Sequence, residues 1–400
     1  MTKQRLSTLA LTCALVLSGC SSAPQQTHTQ LHQHDRLDKH SALLIQARMA
    51  RFAHLQQQSE EDEISDLWSL TRTHLGLELD LNDLRIEQHF AWLAKHPQHL
   101  TNVSEQALPY YYYVLDQVIE RGMPAEVALL PVIESGYNPY ALSPSNAAGP
   151  WQFIPGTAKH FGLENNWWYD ARRDIVASTD AALTYLSQLN EQFGGDWLLT
   201  LAAYNAGGGT VSRAIEYNQA RNLPIDFWSL NLPQQTMNYV PKLLATARMI
   251  RDAEDYGLEL ADIPAEPYFA EVETGGQVDL KQAAELAEID LDELKQLNPG
   301  FSRWATAPEG PHRLLVPVEQ AEQLQQALES LPDEERVNFA SYTIKSGDTL
   351  GALARRFNTT VQVLQTTNRI QPHQLRVGQT LLVPAASDRI ALKPSGSGPG

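Results

Sequence analysis

Cysteine is scarce in this sequence of 400 residues, which contains only Cys13 and Cys20. Residues 21–400 therefore cannot form a disulfide. Positive charge is also scarce, with 30 Lys and Arg residues against 47 Asp and Glu residues and a net charge of −17. This balance disfavours a nucleic-acid partner, because affinity for phosphate backbones comes mostly from Lys and Arg. A neutral or sugar-like ligand suits the composition better.

Long hydrophobic runs are missing as well. The run near the amino terminus, Leu6 to Leu17, is shorter than the roughly 20 residues that cross a bilayer. Two basic residues precede this run, which predicts a signal peptide over residues 1–19. Residues 17–20, Leu-Ser-Gly-Cys, resemble a bacterial lipobox. That resemblance implies a lipidated Cys20 and, because Ser21 is not Asp, the periplasmic face of the outer membrane of a Gram-negative bacterium. An ordinary signal peptide with a chance cysteine is the alternative.

The remaining composition allows a sizeable core, since 43% of the residues are hydrophobic, and the length suits two or three domains. Residues 20–63 are expected to be a polar linker and the start of a helical prelude, which continues over 64–109 with Trp92 among its packing residues. Residues 110–256 show apolar residues at helical spacing. Four histidines in the linker lack the paired spacing of a metal site, so no metal or other cofactor is expected.

The last third of the chain contains an internal repeat. Residues 283–317 and 351–384 share a short helix, a turn, a second helix with Asn at or just after its end, and an apolar strand closing at Val-Pro. The sequence YTIKSGDTL precedes the second copy as a strand and turn signal. The first copy lacks this signal, so we expect a degenerate repeat over 268–318. A complete module is expected over 341–385, followed by a disordered tail over 386–400, which is rich in Ser, Gly and Pro.

Two families are identified from these motifs. The second copy resembles a LysM module, a βααβ unit that binds glycans containing N-acetylglucosamine. Residues 110–256 resemble the catalytic domain of the family-1 lytic transglycosylases, a helical fold related to goose-type lysozyme. The strongest matches are Glu134-Ser135, Gly149 to Ile154, the Asn-Trp-Trp-Tyr-Asp sequence at 166–170, Ala203-Tyr204-Asn205 and Asn238 to Lys242. The resemblance implies a mainly α fold, with a lysozyme-like helical catalytic domain followed by small α+β LysM modules.

Glu134 is the candidate catalytic acid. Breaking a glycosidic bond requires a proton on the leaving oxygen, and a carboxyl group supplies one only if its pKa lies near the working pH. Apolar residues precede Glu134, and desolvation by such neighbours favours the neutral carboxyl group. From the residues alone, a solvent-facing glutamate at a helix end is the alternative. The nearby acids Glu164, Asp170, Asp174 and Asp180 are better explained as helix caps than as a second catalytic carboxylate.

The resemblance implies a mechanism with a single acid. Glu134 would protonate the bond between N-acetylmuramic acid and N-acetylglucosamine in peptidoglycan, the muramyl N-acetyl group would shelter the oxocarbenium-like centre, and the 6-hydroxyl would close a 1,6-anhydro ring. No water is consumed. The implied partners are peptidoglycan strands and, through the lipidated Cys20, a lipid bilayer; the sequence makes no prediction of oligomeric state.

The same resemblance implies roles for other residues in the catalytic domain. Ser135 is expected to hydrogen-bond to Glu134, and Tyr239 to bring its hydroxyl close to the same carboxyl group. The expected glycan-binding residues are Gly149, Trp151, Gln152, Tyr204 and Asn205. Among them, Trp151 either stacks on a sugar or belongs to the core, and Asn205 is expected to use both sides of its amide.

In the second repeat, a shallow glycan groove is expected between two segments. Gly347, Asp348 and Thr349 lie on one side, and Asn368 begins the other. The alternative for Gly347-Asp348 is a turn without a binding role.

Pro150 departs from the family pattern, which has a bulky apolar residue after the glycine. Proline removes a backbone donor, so weaker glycan binding would follow if that donor contacted the substrate. A non-catalytic peptidoglycan tether therefore stays open as an alternative, as does a muramidase that uses water as the nucleophile.

Overall fold

The computed structural model describes residues 66–332, 336, 339–368, 370–371 and 375–384. The predicted signal peptide, Cys20, the linker and the predicted tail lie outside these residues. The described residues fall within one compact unit, residues 65–400. Within the described ranges, no helix has the length and apolar character needed to cross a membrane. The same ranges contain no cluster of His, Cys, Asp and Glu suited to a metal ion.

The prelude consists of helices packed around aromatic side chains. Its helices are α1 (Leu67–Thr73), α2 (Leu84–Lys95) and α3 (Pro97–Ala107), and α4 (Tyr111–Glu120) follows at the start of the 110–256 region. The rings of Trp68 and Tyr111 stack with centroids 4.5 Å apart, which ties α1 to α4. The prediction for Trp92 was wrong, since this side chain is 47% exposed.

The middle of the chain is helical, as predicted. Its α-helices are α5 (Leu130–Glu134), α6 (Pro155–His160), α7 (Ile175–Gln192), α8 (Trp197–Ala206), α9 (Gly208–Gln219) and α10 (Gln234–Arg251), with 3₁₀ turns at Ala125–Leu129, Phe227–Ser229 and Ala253–Tyr256. The long helix α10 contains Pro241 and packs against α2, α5 and α8. It therefore brings the prelude and the helices of the site together.

Local capping chemistry explains where two of these helices begin. Asp174 accepts a hydrogen bond from the amide of Ala177 at the start of α7, and Asp196 accepts one from Leu199 at the start of α8. The cap at Asp174 confirms the sequence prediction. The prediction for Asp180 was wrong, because this residue lies inside α7.

The last third of the chain forms two βααβ repeats. The first repeat comprises β1 (Phe269–Glu273), α11 (Leu280–Ala287), α12 (Leu291–Leu297) and β2 (Arg313–Pro317), and α13 (Val318–Ser330) follows it. The second repeat comprises β3 (Phe339–Thr343), α14 (Leu350–Arg356), α15 (Val361–Asn368) and β4 (Thr380–Pro384). Each strand pair is antiparallel. The first repeat has a first strand although its sequence lacks the YTIKSGDTL signal.

An asparagine clamps the second helix of each repeat to the last strand. Asn298 donates to the carbonyl groups of Leu294 and Leu315 and accepts from the amide of Leu315, at 2.6–2.8 Å. Asn368 makes the corresponding three bonds, to α15 and β4, at 2.6–2.8 Å. The recurring asparagine in the sequence repeat therefore has a structural explanation.

Candidate active site

Glu134 is the last residue of α5, and its carboxyl group contacts α10. The hydroxyl of Tyr239 donates to Glu134 Oε1 over 2.7 Å. Tyr239 is 8% exposed, so its ring is fixed by packing and its hydroxyl holds the carboxyl group in one place. The proximity predicted for these two residues is confirmed.

Burial raises the pKa of Glu134 from its ordinary value of 4.5 to about 7. The hydrogen bond from Tyr239 and the charge of Lys242 oppose this rise, because both favour the carboxylate. A carboxyl group with this pKa is present in both protonation states near neutral pH. It can therefore give up a proton and take one back within a single reaction cycle.

Lys242 also contacts the end of α5. Its Nζ donates to the carbonyl oxygen of Ile133 over 3.0 Å. Desolvation lowers the pKa of Lys242, and the charge of Glu134 opposes that effect. The sequence match at residues 238–242 includes this lysine, but we assigned it no role from the sequence.

A tight turn over residues 149–152 borders the acid. The amide of Gln152 donates to the carbonyl oxygen of Gly149 over 3.2 Å, which places Pro150 at the second position of a β-turn, where proline is favoured. Gly149 has φ +81°, and a Cβ there would lie 1.7 Å from the carbonyl oxygen of Arg172. Glycine is thus required at 149, and Pro150 fits its local geometry.

The expected hydrogen bond from Ser135 to Glu134 is not the one that forms. Ser135 Oγ donates to the carbonyl oxygen of Pro150 over 2.9 Å and makes a longer bond of 3.3 Å to Pro131. The reason is geometric, because the turn brings a free backbone acceptor next to the hydroxyl. Ser135 therefore fastens the acid-bearing helix end to the turn.

Trp151 is a core residue and cannot stack on a sugar. Its side chain is fully buried, and Nε1 donates to Thr179 Oγ1 over 2.9 Å. The expectation that it binds the glycan was wrong, because its ring faces the α7 side of the core. Its carbonyl oxygen accepts a 3.0 Å bond from the hydroxyl of Tyr204, which ties the turn to α8.

Three half-buried residues near the turn use some of their polar atoms in hydrogen bonds within the protein: Gln152, Tyr204 and Asn205. Burial, and after it the charge of Glu134, raises the pKa of Tyr204, so its hydroxyl stays neutral near the acid. Gln152 Nε2 donates to the carbonyl oxygen of Gly149 over 2.9 Å, which leaves Oε1 as an acceptor. Asn205 Oδ1 accepts from Thr236 Oγ1 over 2.9 Å. Asn205 therefore keeps its amide protons for a ligand, while its carbonyl oxygen already accepts one hydrogen bond.

Sequence reasoning missed two buried arginines behind the turn. Arg172 pairs with Asp170 at 2.8 Å and also donates to the carbonyl oxygen of Asn146 over 2.7 Å. Arg313, in β2, pairs with Asp174 at 2.9 Å. Asp170 is thus an ion-pair partner rather than the expected helix cap. The Asp-x-Arg spacing at 170–172 was a usable signal, whereas nothing near Arg313 in the sequence points to α7.

The expected glycan groove of the second repeat is only partly supported. Gly347 has φ +89°, Asp348 accepts from the amide of Lys345 over 2.7 Å, and Thr349 caps α14. These bonds build the turn and leave its surface available. Asn368 does not fit the expected binding role, because the clamp to β4 uses both ends of its amide.

Three family descriptions match the chain. The transglycosylase SLT domain matches residues 117–225, which include Glu134, the turn and Tyr204. The LysM-like domain of lytic transglycosylase MltD matches residues 268–333, and the LysM domain matches residues 342–384. The two repeats thus correspond to two separate domain matches.

Curated relatives extend these matches. Membrane-bound lytic murein transglycosylase D of Escherichia coli (strain K12) is 40% identical over 332 residues, which cover 80% of this chain and 73% of that protein. Soluble lytic murein transglycosylase of the same strain is 31% identical over 116 residues, or 28% of this chain and 18% of that protein. The solved structure of the 70 kDa soluble lytic transglycosylase of Escherichia coli is 20% identical, covers 58% of this chain and 38% of that chain, and has a TM-score of 0.30.

Proposed function

This chain belongs to the family of membrane-bound lytic murein transglycosylase D, and we propose from this membership and from the site that Glu134 is its single catalytic acid. The chain is a lytic transglycosylase that acts on peptidoglycan. The observation that carries the assignment of Glu134 is its buried carboxyl group, held by Tyr239 at 2.7 Å with a pKa of about 7. Asp170 and Asp174 are committed to arginines, which supports a mechanism without a second carboxylate.

The proposed reaction has two proton transfers. Glu134 gives its proton to the oxygen that joins C1 of N-acetylmuramic acid to N-acetylglucosamine, and the C1–O bond breaks. The muramyl N-acetyl oxygen shelters C1 while the carboxylate of Glu134 removes the proton of the 6-hydroxyl. O6 then bonds to C1, which gives a 1,6-anhydro end without water. The site contributes mainly by orienting this internal nucleophile.

Other residues of the site hold the glycan or the acid. Tyr239 positions the carboxyl group. Gln152 Oε1 accepts from the sugar, and the amide protons of Asn205 donate to an acetamido oxygen. Tyr204 and Gly149 shape the wall of the cleft through the turn.

Mass spectrometry of digested peptidoglycan tests this proposal. Wild-type protein should release anhydro-muropeptides, each lighter by one water than the corresponding hydrolysis product. The Glu134→Gln variant should still sediment with insoluble peptidoglycan but release nothing. Reducing ends among the products would instead show that the enzyme is a muramidase. Release by Glu134→Gln at the wild-type rate would show that Glu134 is not the catalytic acid.

The second repeat is proposed to hold the enzyme on glycan strands through the Gly347–Thr349 turn. It has its own hydrophobic core, so a chain that ends before residue 339 keeps the rest of the fold. That shortened chain should sediment less with peptidoglycan while its turnover of soluble glycan stays the same. Equal sedimentation would place the binding elsewhere.

Attachment to the outer membrane through a lipidated Cys20 is also proposed, and the word "membrane-bound" in the name of the Escherichia coli relative supports it. In cells, Cys20→Ala should move the protein from the membrane fraction to the soluble periplasm. Unchanged fractionation would contradict the anchor.

A further inference from the structure

A small cavity lies on the side of α5 that faces the prelude. Its volume is about 30 Å³, which is enough space for a water molecule or a small polar group. Three of the residues that line it are basic: His89 from α2, His99 from α3 and Lys242 from α10. None of the lining residues is acidic, in a chain whose net charge is −17.

The cavity is adjacent to the catalytic acid. Lys242 Nζ donates to the carbonyl oxygen of Ile133, the residue before Glu134. On α10, Lys242 follows Tyr239 by three residues, which is about 4.5 Å of helix rise. Lys242 therefore lines the cavity from a position less than one turn of α10 beyond the residue that holds Glu134.

Lys242 is the charged group in the cavity, and the two histidines are neutral donors and acceptors near neutral pH. Desolvation, and after it the charge of Lys242, lowers the pKa of both His89 and His99. Glu87, an acid on α2, is committed to Arg248 at 2.6 Å. An anion in the cavity would be attracted by the charge of Lys242 and would accept hydrogen bonds from Lys242, His89 and His99.

An exposed aromatic residue extends the cavity toward solvent. Trp92 is 47% exposed, and its ring lies 5.3 Å from that of His99 in an edge arrangement. It also stacks on His96 at 4.7 Å. These contacts orient His99 and leave a flat apolar surface next to the basic groups, a combination suited to a sugar that carries an acid group.

We propose that this cavity is a carboxylate subsite, in which His89, His99 and Lys242 bind an acid group carried by the muramic acid unit that Glu134 cleaves. The subsite rests on the proposed function, since that function supplies the substrate. Two sources share this chemistry. One is a free carboxylate of the peptide stem, and the other is the lactyl carboxylate of a glycan without stems.

Kinetics on three substrates test the subsite. The substrates are uncrosslinked stem-bearing glycan, the same glycan with its carboxylates converted to amides, and stem-free glycan produced with an amidase. For the double variant His89→Gln/His99→Gln, KM should rise about tenfold on stem-bearing glycan while kcat stays within about twofold, because charge-assisted hydrogen bonds to the carboxylate are lost. The amidated glycan should not distinguish the variant from wild type. A rise in KM on stem-free glycan as well would assign the lactyl group as the source, and no rise there would assign the stem.

Controls separate this subsite from a structural role. His160→Gln, an exposed histidine on α6, should leave all three KM values unchanged. An equal rise in the KM of the double variant on amidated and unmodified glycan, or no rise on either, would overturn the subsite. If wild type forms no anhydro ends on any substrate, the proposed function fails instead.

A binding experiment that needs no turnover tests the cavity independently. In the Glu134→Gln protein, the imidazole NMR signals of His89 and His99 should shift on addition of the soluble disaccharide tetrapeptide. The amidated tetrapeptide should leave both signals in place. Unshifted signals with the unmodified compound would refute the subsite.

Discussion

Arg313 and Asp174 form a buried ion pair that joins the first repeat to the catalytic helices. Their side chains are 14% and 7% exposed, with Arg313 Nη2 lying 2.9 Å from Asp174 Oδ1. Asp174 also caps α7 and accepts a 2.8 Å bond from the hydroxyl of Tyr169. The segment before α7 contributes the Arg172 carbonyl group against which Gly149 packs. The first repeat therefore supports the back of the turn that borders the acid.

Replacing Arg313 by Met should lower the free energy of unfolding by about 3–5 kcal/mol, because Asp174 stays buried without its partner. Urea denaturation followed by circular dichroism measures this loss. The exposed pair of Arg121 and Asp180, 26% and 68% exposed, supplies the control. Arg121→Met should cost less than about 1 kcal/mol. Similar losses for both variants would show that the buried pair has no special role.

Substitution of Gly149 by Ala should destabilise the fold by several times the cost of the same change at Gly162. Both glycines have positive φ, +81° and +74°, so both alanines carry a backbone penalty of about 1 kcal/mol. Only at 149 does the added Cβ collide with the backbone of Arg172. The difference in melting temperature between the two variants measures the cost of the collision at 149, because the backbone penalty is common to both. Equal melting temperatures would mean that the turn moves freely away from Arg172.

The Glu134→Gln variant should be more stable than wild type above neutral pH. The pKa of Glu134 is about 7 in the folded protein and 4.5 in its ordinary state. The folded state thus holds its proton more tightly, and wild-type stability falls as pH rises from about 4.5 to 7. Glutamine removes this dependence, so the difference in unfolding free energy should grow to about 3 kcal/mol by pH 8. A difference in unfolding free energy between variant and wild type that is the same at pH 4 and pH 8 would contradict the raised pKa.

The pH profile of kcat/KM should decline above about pH 7, since the free enzyme then loses the acid form of Glu134. Lys242 favours the carboxylate, so Lys242→Met should raise the pKa of Glu134 and move the alkaline limb to higher pH. Lys242→Arg keeps the charge and should leave the limb where it is. A limb that shifts equally in both variants would assign the effect to lost packing instead of charge.

Local features of the fold were predictable from the sequence, and long-range partners were predictable only where a family motif preserved them. The cap Asp174 followed from residue type and position alone. The contact of Glu134 with Tyr239 joins residues 105 positions apart and came from the resemblance. Ser135 and Trp151 were misjudged because their partners, a turn carbonyl group and Thr179, depend on tertiary packing. Arg313 was missed for the same reason.

Trp151 was expected at the substrate and lies in the core, but its carbonyl oxygen still serves the site. Ser135, Tyr204 and the backbone of Arg172 each hold a different point of the 149–152 turn. The conformational entropy of this wall is consequently lost when the chain folds and not when a glycan arrives. A rigid wall of this kind selects glycan strands that already match its shape. The affinity of the enzyme for glycan should therefore depend on the conformation of the sugar and change little with thermal motion of the turn.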